Sequence, residues 1–277
     1  MKYGFVLPRG DARTAADFAA EAEVAGWDGF FVWEPVWGVD AWVALTAAAM
    51  ITSHIRLGTM LSPLSRLNPW KLASETATLD QLSGGRVILS VGLGATDCGF
   101  EEFGEITDRR LRAERLDEAL DLLNLLWKGL PFTYEGKHYQ VHLEQAQEKF
   151  KAGVLGAAAA LQQPRIPIWA VGAWPSKKSM ARVKRCDGLL PAVIGEDGKV
   201  AMRPATPEEI AAMKASMEGF NGDIVVEGET PGDDLEAAIV KAQAYARAGA
   251  TWWLESRWDE PDPDRVLTRI RQGPPCK

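Results

Sequence analysis

The sequence predicts an α/β fold, a (β/α)₈ TIM barrel with an excursion between strands four and five. Three observations point there. Eight short β-rich runs recur along 277 residues, helical stripes separate them, and the runs are apolar throughout rather than alternating. Parallel strands buried on both faces show that pattern, because neither face meets water. An open doubly wound sheet shares the βα alternation, but a count of eight strand–helix units favours the closed barrel.

The expected strands are Tyr3 to Pro8, Gly29 to Trp33, Ile55 to Leu61, Val87 to Gly94, Ile166 to Gly172, Gly188 to Val193, Asp223 to Gly228 and Thr251 to Ser256. Between them, Leu116, Ala119, Leu120, Leu123, Leu126 and Trp127 form one helical stripe, and Leu235, Ala238, Ile239 and Ala242 another. Thr14 and Thr206 read as helix starts, the latter followed by Pro207 at the first helical position. Gly26, Gly84 and Gly249 read as helix stops before the next strand. The segment 128–165 breaks the rhythm. It predicts a small hairpin around Glu135-Gly136 and a helical stretch from Glu144 to Leu161, as an insertion or lid on a single domain.

Composition narrows the function. With 31 basic against 38 acidic side chains the net charge is −7, which argues against a nucleic-acid partner. Arg9, Asp11 and Arg13 come early, and the longest apolar candidate, Val43 to Ile51, is too short for a membrane span, so a cytoplasmic protein is expected. Cys98, Cys186 and Cys276 are odd in number and lack a CxxC pair, which argues against disulfides and a zinc site. With three histidines and no ligand cluster, no metal is expected.

A barrel places its chemistry at the C-terminal ends of its strands. That rule brings together Pro8-Arg9, Trp33-Glu34-Pro35-Val36-Trp37, Ser62 to Arg66, Gly92 to Asp97, Gly172 to Lys178 and Glu255 to Trp258. The rim is rich in Trp and Gly and has one basic cluster. It suits a planar aromatic ring with an anionic arm: indoles stack, glycines allow close approach, and a helix N-terminus receives phosphate. The same rule sends Leu82-Ser83-Gly84-Gly85-Arg86 to the opposite face, where stability is the expected role.

Three motifs in order carry a resemblance. Asn68-Pro69-Trp70-Lys71-Leu72-Ala73 is followed by Thr76 through Arg86 and by Val91-Gly92-Leu93-Gly94. Ile55 to Thr59, Pro167 to Gly172, Asp187-Gly188, Gly249 to Trp253 and the tail Arg269 to Pro275 fit the same pattern. The chain resembles the luciferase-like flavin- or F420-dependent oxidoreductases, over nearly its whole length apart from 144–163. The resemblance implies FMN or coenzyme F420 as cofactor, a small-molecule substrate, a homodimer, and for an FMN enzyme a flavin reductase as electron source. It also implies a non-prolyl cis peptide in a bulge of strand three, which falls at Met60-Leu61. Where relatives carry Asp-His after strand two, this chain reads Trp33-Glu34-Pro35.

The candidate residues follow. Glu34 is the candidate acid, since a carboxyl with a raised pKa serves as proton donor where the imidazole is missing. Met60, Leu61, Gly92, Gly94, Gly172, Ala173, Trp174, Ser176, Lys177 and Lys178 are the cofactor candidates, with Arg182, Lys184 and Arg185 extending the cationic track. Trp33, Trp37, Arg66, Asp97 and Glu255 are expected to line the substrate pocket. The leading expectation is a monooxygenase-type enzyme working through reduced FMN, with F420-dependent hydride transfer as the alternative. A barrel that has lost its cofactor and acts as a binding protein is the alternative of another class. A hydrolase is disfavoured, because a Gly-x-Ser-x-Gly elbow and an evident carboxylate pair are both missing.

Overall fold

The computed structural model describes residues 1–153, 159–201 and 203–276. Its strands and helices alternate as expected: β1 (Lys2–Leu7), α1 (Ala12–Val24), β2 (Gly29–Val32), α2 (Ala41–Ile51), β3 (Arg56–Thr59), β4 (Ser62–Pro63), α3 (Pro69–Ser83), β5 (Val87–Gly92) and α4 (Arg109–Leu126). After the excursion come β8 (Ile168–Trp174), α6 (Lys177–Val183), β9 (Gly188–Val193), α7 (Pro207–Ser216), β10 (Asp223–Gly228), α8 (Leu235–Ala248), β11 (Trp252–Ser256) and α9 (Pro263–Arg271). All pairings in the large sheet are parallel, and β3 pairs with β5 as well as β2, so the sheet closes on itself as an eight-stranded barrel. The third expected strand is split: Met60-Leu61, in cis, separates β3 from the short β4.

Side chains alternate between two buried layers, which explains the unbroken apolar runs. Val6, Phe31, Ile88, Trp169, Leu190, Val225, Trp252 and Leu254 fill the lumen, and their neighbours in sequence pack outward against the helices. Phe31 stacks on Trp169 at 5.4 Å, and Trp169 meets Trp252 edge-on at 5.1 Å. Inward glycines make room for these rings: a Cβ on Gly29 would lie 2.8 Å from Phe31, and one on Gly188 2.2 Å from Trp169.

Helix starts are set by short polar caps that accept otherwise unpaired N–H groups. Asp11, not Thr14, caps α1, so that helix begins earlier than the sequence suggests. Thr206 and Glu209 form a full capping box at α7, with Pro207 in the first turn. Gly84 and Gly249 end α3 and α8 with left-handed φ of 70° and 110°.

The excursion forms the expected hairpin, β6 (Thr133–Glu135) and β7 (Gln140–His142), and a 3-10 turn (Leu143–Ala146) that runs into a short helix, α5 (Gln147–Lys151). The hairpin grips α4: Glu118 accepts from the backbone N–H groups of Lys137, His138 and Tyr139. Buried Asp80 accepts from the N–H groups of Leu161 and Gln162, returning the chain to the barrel. Of the helical stretch expected over 144–161, residues 154–158 lie outside the described residues.

At the closed end, Arg86 is buried and donates to Ser83 O, Thr52 Oγ1, Ile55 O, Ala49 O and Thr52 O. The Ser83-Gly84-Gly85-Arg86 motif therefore ties α2, α3 and the strand starts together.

Candidate active site

The open end of the lumen collects residues from every quarter of the chain. β2 delivers Trp33 and Glu34, the β3–β4 bulge delivers Met60 and Leu61, β5 ends in Gly92, and β8 contributes Val171 and Ala173. Met60, Leu61, Val171 and Trp258 all pack on the lumen cluster. Gly92 faces inward between two of them: a Cβ there would press to 3.0 Å on both Leu61 and Val171. The missing side chain lets Leu61 and Val171 close over the strand end beside the bulge.

Ser90 Oγ on β5 and Arg66 Nε are among the buried polar atoms that have no hydrogen-bond partner among the described residues, as are Arg257 Nε after β11 and the lumen indoles Trp169 Nε1 and Trp252 Nε1. Buried polar atoms are normally paired, so orphans at a mouth mark a place that a ligand or water completes. Arg66 Nη2 donates to Pro35 O at 2.6 Å, joining the loop after β2 to the loop after β4.

Glu34 is half-buried and accepts a hydrogen bond from Ser62 Oγ, the residue that follows the bulge. Ser62 Oγ in turn lies 2.9 Å from Thr59 Oγ1. Burial pushes the Glu34 carboxyl up to about 7, outweighing the Ser62 bond and the charge of Arg66, which pull it down. Asp40 and Glu75 add to the rise, which places Glu34 toward the α2–α3 side of the bulge.

Trp33 is 41% and Trp37 82% exposed, so both are rim residues. They border a cleft of about 220 Å³ that also touches Pro8, Arg9, Val39 and Ala44. Trp37 and Phe103, from the loop after β5, approach at 6.4 Å. Asp97 sits exposed in that second loop beside Cys98. A larger hollow, about 630 Å³ between Lys184 and Gly222, opens before β9 and β10, at the end where barrels do not place chemistry.

Several expected site residues serve the scaffold instead. Gly172 faces outward, where a Cβ would meet Leu189 at 2.3 Å and Met180 at 3.0 Å, so it admits α6 and not a ring. Trp174 packs against the outer core. Gly94 adopts a positive φ of 78° in the turn after β5, closed over by Phe100 and Pro63. Ser176 caps α6 by accepting from Ser179 N. Lys177 and Lys178 are exposed on that helix. The cationic track does not extend further along it, because Arg182 and Arg185 pair with Asp117 and Asp121 of α4.

Glu255 is the clearest correction. It is fully buried but points away from the lumen, because alternation along β11 turns Leu254 inward. It accepts from Thr230 N, Thr230 Oγ1, Trp253 Nε1 and Arg269 Nε, a structural knot between β11 and α9.

Glu227 on β10 was not expected in the site. Val225 below it is a lumen residue, and its cross-strand partner is the lumen residue Leu254. Its Oε1 accepts from Trp258 Nε1, and Ser256 also hydrogen-bonds to it. Burial raises its carboxyl above the ordinary range, the two hydrogen bonds opposing the shift. A period of two counted from Val225 is the signal that finds it.

Comparison with known proteins agrees with this architecture. A protein of Mycobacterium tuberculosis named as a coenzyme F420-dependent oxidoreductase is 33% identical over 182 residues, covering 64% of this chain and 50% of the relative. An F420-dependent glucose-6-phosphate dehydrogenase of Kineococcus radiotolerans is 37% identical over 136 residues, 46% of this chain and 40% of the relative. The oxygenase component of a flavin-dependent trigonelline monooxygenase of Acinetobacter baylyi is 29% identical over 147 residues, 53% of this chain and 38% of the relative. In these matches the chain spans half or less of the relative's length. Among solved structures, the coenzyme F420 dependent tetrahydromethanopterin reductase from Methanopyrus kandleri superposes with a TM-score of 0.75 at 17% identity, over 99% of this chain and 98% of that one. The FMN-bound oxygenating constituent of 3,6-diketocamphane monooxygenase from Pseudomonas putida gives 0.55 at 20% identity, over 91% and 64%. These two likenesses concern the fold. The model of the luciferase-like monooxygenase family matches residues 4–265, and the chain belongs to that family.

Proposed function

We propose that this chain is an oxidoreductase that holds a deazaflavin of the F420 type at the Met60-Leu61 bulge and acts on a small organic substrate in the barrel mouth. The observation that carries the reading is the convergence of the apolar side chains Met60, Leu61, Val171 and Trp258 on the lumen cluster at the open end of the barrel, in a chain of the luciferase-like family. When bound, the deazaflavin supplies hydride transfer. Met60, Leu61, Gly92 and Ala173 hold and orient its ring. Trp33 and Trp258 limit water at the mouth, and Glu34 keeps a proton beside the bulge because burial outweighs the hydrogen bond from Ser62. Lys177 and Lys178 meet the anionic arm.

The preference for F420 over FMN rests on the two relatives whose names specify F420. FMN with an external reductase is the second reading, favoured by the likeness to the trigonelline monooxygenase component. Titration of the purified protein with each cofactor, followed by quenching of tryptophan fluorescence, decides between them. Saturable quenching by F420 but not FMN is the expected result. The reverse result moves the protein to the FMN class, and no quenching by either leaves a cofactor-free binding barrel.

A further inference from the structure

We infer that Glu227 is the substrate-facing acid of this site, the group that meets the carbonyl or hydroxyl oxygen of a small uncharged substrate. The inference rests on the oxidoreductase reading above and adds the chemical class of what that enzyme binds.

β10 turns Val225 and Glu227 into the lumen and turns Val226 and Gly228 toward the helices, where a Cβ on Gly228 would meet Trp253 at 2.9 Å. Apolar side chains that pack on the lumen at this end are Met60, Leu61, Val171 and Trp258, the last of them in contact with Glu227. Glu255, one strand away, shows the contrast. That carboxylate faces the helix layer and has a guanidinium partner in Arg269. Glu227 has no ion pair among the described residues, so an apolar mouth favours its neutral, proton-carrying form, in line with the upward shift that burial produces.

Its contact with Trp258 biases where the proton goes. An indole N–H is only a donor, so it pairs best with a carbonyl oxygen, which makes Oε1, the acceptor from Trp258, the less favoured place for the proton. The proton belongs on Oε2 and is available to a ligand oxygen. The Trp258 and Ser256 contacts that lower the carboxyl's affinity for its proton also stabilise the anion left behind. In reduction of a carbonyl, the carbon gains a hydride from the reduced deazaflavin. The C=O π pair moves onto oxygen, and that oxygen takes the Oε2 proton. An alcohol and a Glu227 carboxylate result. The reverse step returns hydride to the oxidised cofactor and the proton to Glu227.

Cyclohexanone and cyclohexylammonium, equal in size and different in charge, test the assignment on protein loaded with F420. Infrared difference spectra report the carboxylic-acid C=O stretch of Glu227, identified by its loss in Glu227→Gln, which preserves shape. The expected result is that cyclohexanone binds and shifts this band, and that Glu227→Ala weakens its binding roughly tenfold, the worth of one hydrogen bond of about 1.4 kcal/mol. Glu227→Gln, still a donor, keeps cyclohexanone binding. Preferential binding of cyclohexylammonium, or cyclohexanone affinity unchanged in Glu227→Ala, overturns the assignment. A shifted band with no reoxidation of reduced F420 by any carbonyl in a panel of small ketones and aldehydes overturns the oxidoreductase reading while Glu227 keeps its contact.

Discussion

Ser62 Oγ donates a hydrogen bond to Glu34 Oε2, tying the chain after β2 to the residue that follows the Met60-Leu61 bulge. The consequence is a titration. With its carboxyl raised from 4.5 to about 7, Glu34 keeps a proton in the folded chain across a window where the unfolded chain has lost it. The folded state binds more protons there, so this group's stabilisation is present below pH 4.5 and is lost as pH rises to about 7. The loss is on the order of 1–3 kcal/mol. Urea unfolding of wild type and Glu34→Gln at pH 5 and pH 8 measures it: the variant should gain relative to wild type at the higher pH. Parallel changes in the two proteins would leave Glu34 with an ordinary titration.

Arg86 should be among the most costly side chains to remove. Its guanidinium satisfies four backbone carbonyls and the Thr52 hydroxyl, all in a water-poor layer. Arg86→Ala leaves those acceptors unpaired, and about 3–5 kcal/mol of stability should go with them. Arg86→Lys should recover little, because an ammonium cannot reproduce the planar fork. Thermal unfolding reads both. A loss under 1 kcal/mol in Arg86→Ala would mean that water replaces the guanidinium.

The contrast between Glu255 and Glu227 shows where the sequence stops being legible. The barrel itself is readable because parallel strands buried on both faces leave long apolar runs. Those same runs hide direction: in Trp252-Trp253-Leu254-Glu255-Ser256 every position is buried, so polarity does not mark the lumen side. Glu255 therefore looks like a mouth residue and is a knot to Arg269, while Glu227 looks like a strand end and faces the mouth. Gly172 fails for a related reason, since a glycine that admits a helix and one that admits a ligand have the same sequence. Glu34, Met60 and Leu61 lie at the open end of the barrel as a loop position and an ordered motif suggest, since neither signal depends on a facing. Glu255→Ala, which strands Arg269 in the core, should cost about 3–5 kcal/mol in urea unfolding. It should leave F420 affinity of the folded protein unchanged, and a large drop in that affinity would return Glu255 to the site.

The outer face of α2 predicts self-association. Val43, Met50 and Ile51 are 61%, 66% and 53% exposed and fall on one helical stripe, with no charged residue within Ala41–Ile51. Such a stripe is costly to leave in water and, repeated by symmetry, covers itself in a twofold dimer. Light scattering should give a dimer at micromolar concentration, and Val43→Glu with Met50→Glu should give a folded monomer. A monomeric wild type would assign the stripe no partner of its own kind.

The last expectation concerns the anionic arm of the cofactor. With Arg182 and Arg185 held by Asp117 and Asp121, the basic side chains left at the start of α6 are Lys177 and Lys178, both exposed. Ser176 caps the helix by accepting from Ser179 N. Contacts made by exposed ammonium groups are screened within a Debye length of about 8 Å at physiological salt. Each is therefore worth well under 1 kcal/mol alone, and the pair should matter mainly at low ionic strength. Lys177→Ala with Lys178→Ala should weaken F420 binding severalfold at low salt. The titration curves of variant and wild type should converge as salt is raised, because screening removes in the wild type what the substitutions removed in the variant. An affinity gap that persists at high salt would mean that the lysines act by packing. Identical curves at every salt concentration would place the arm elsewhere on the rim, with Arg9 and Arg66 as the next cations to replace.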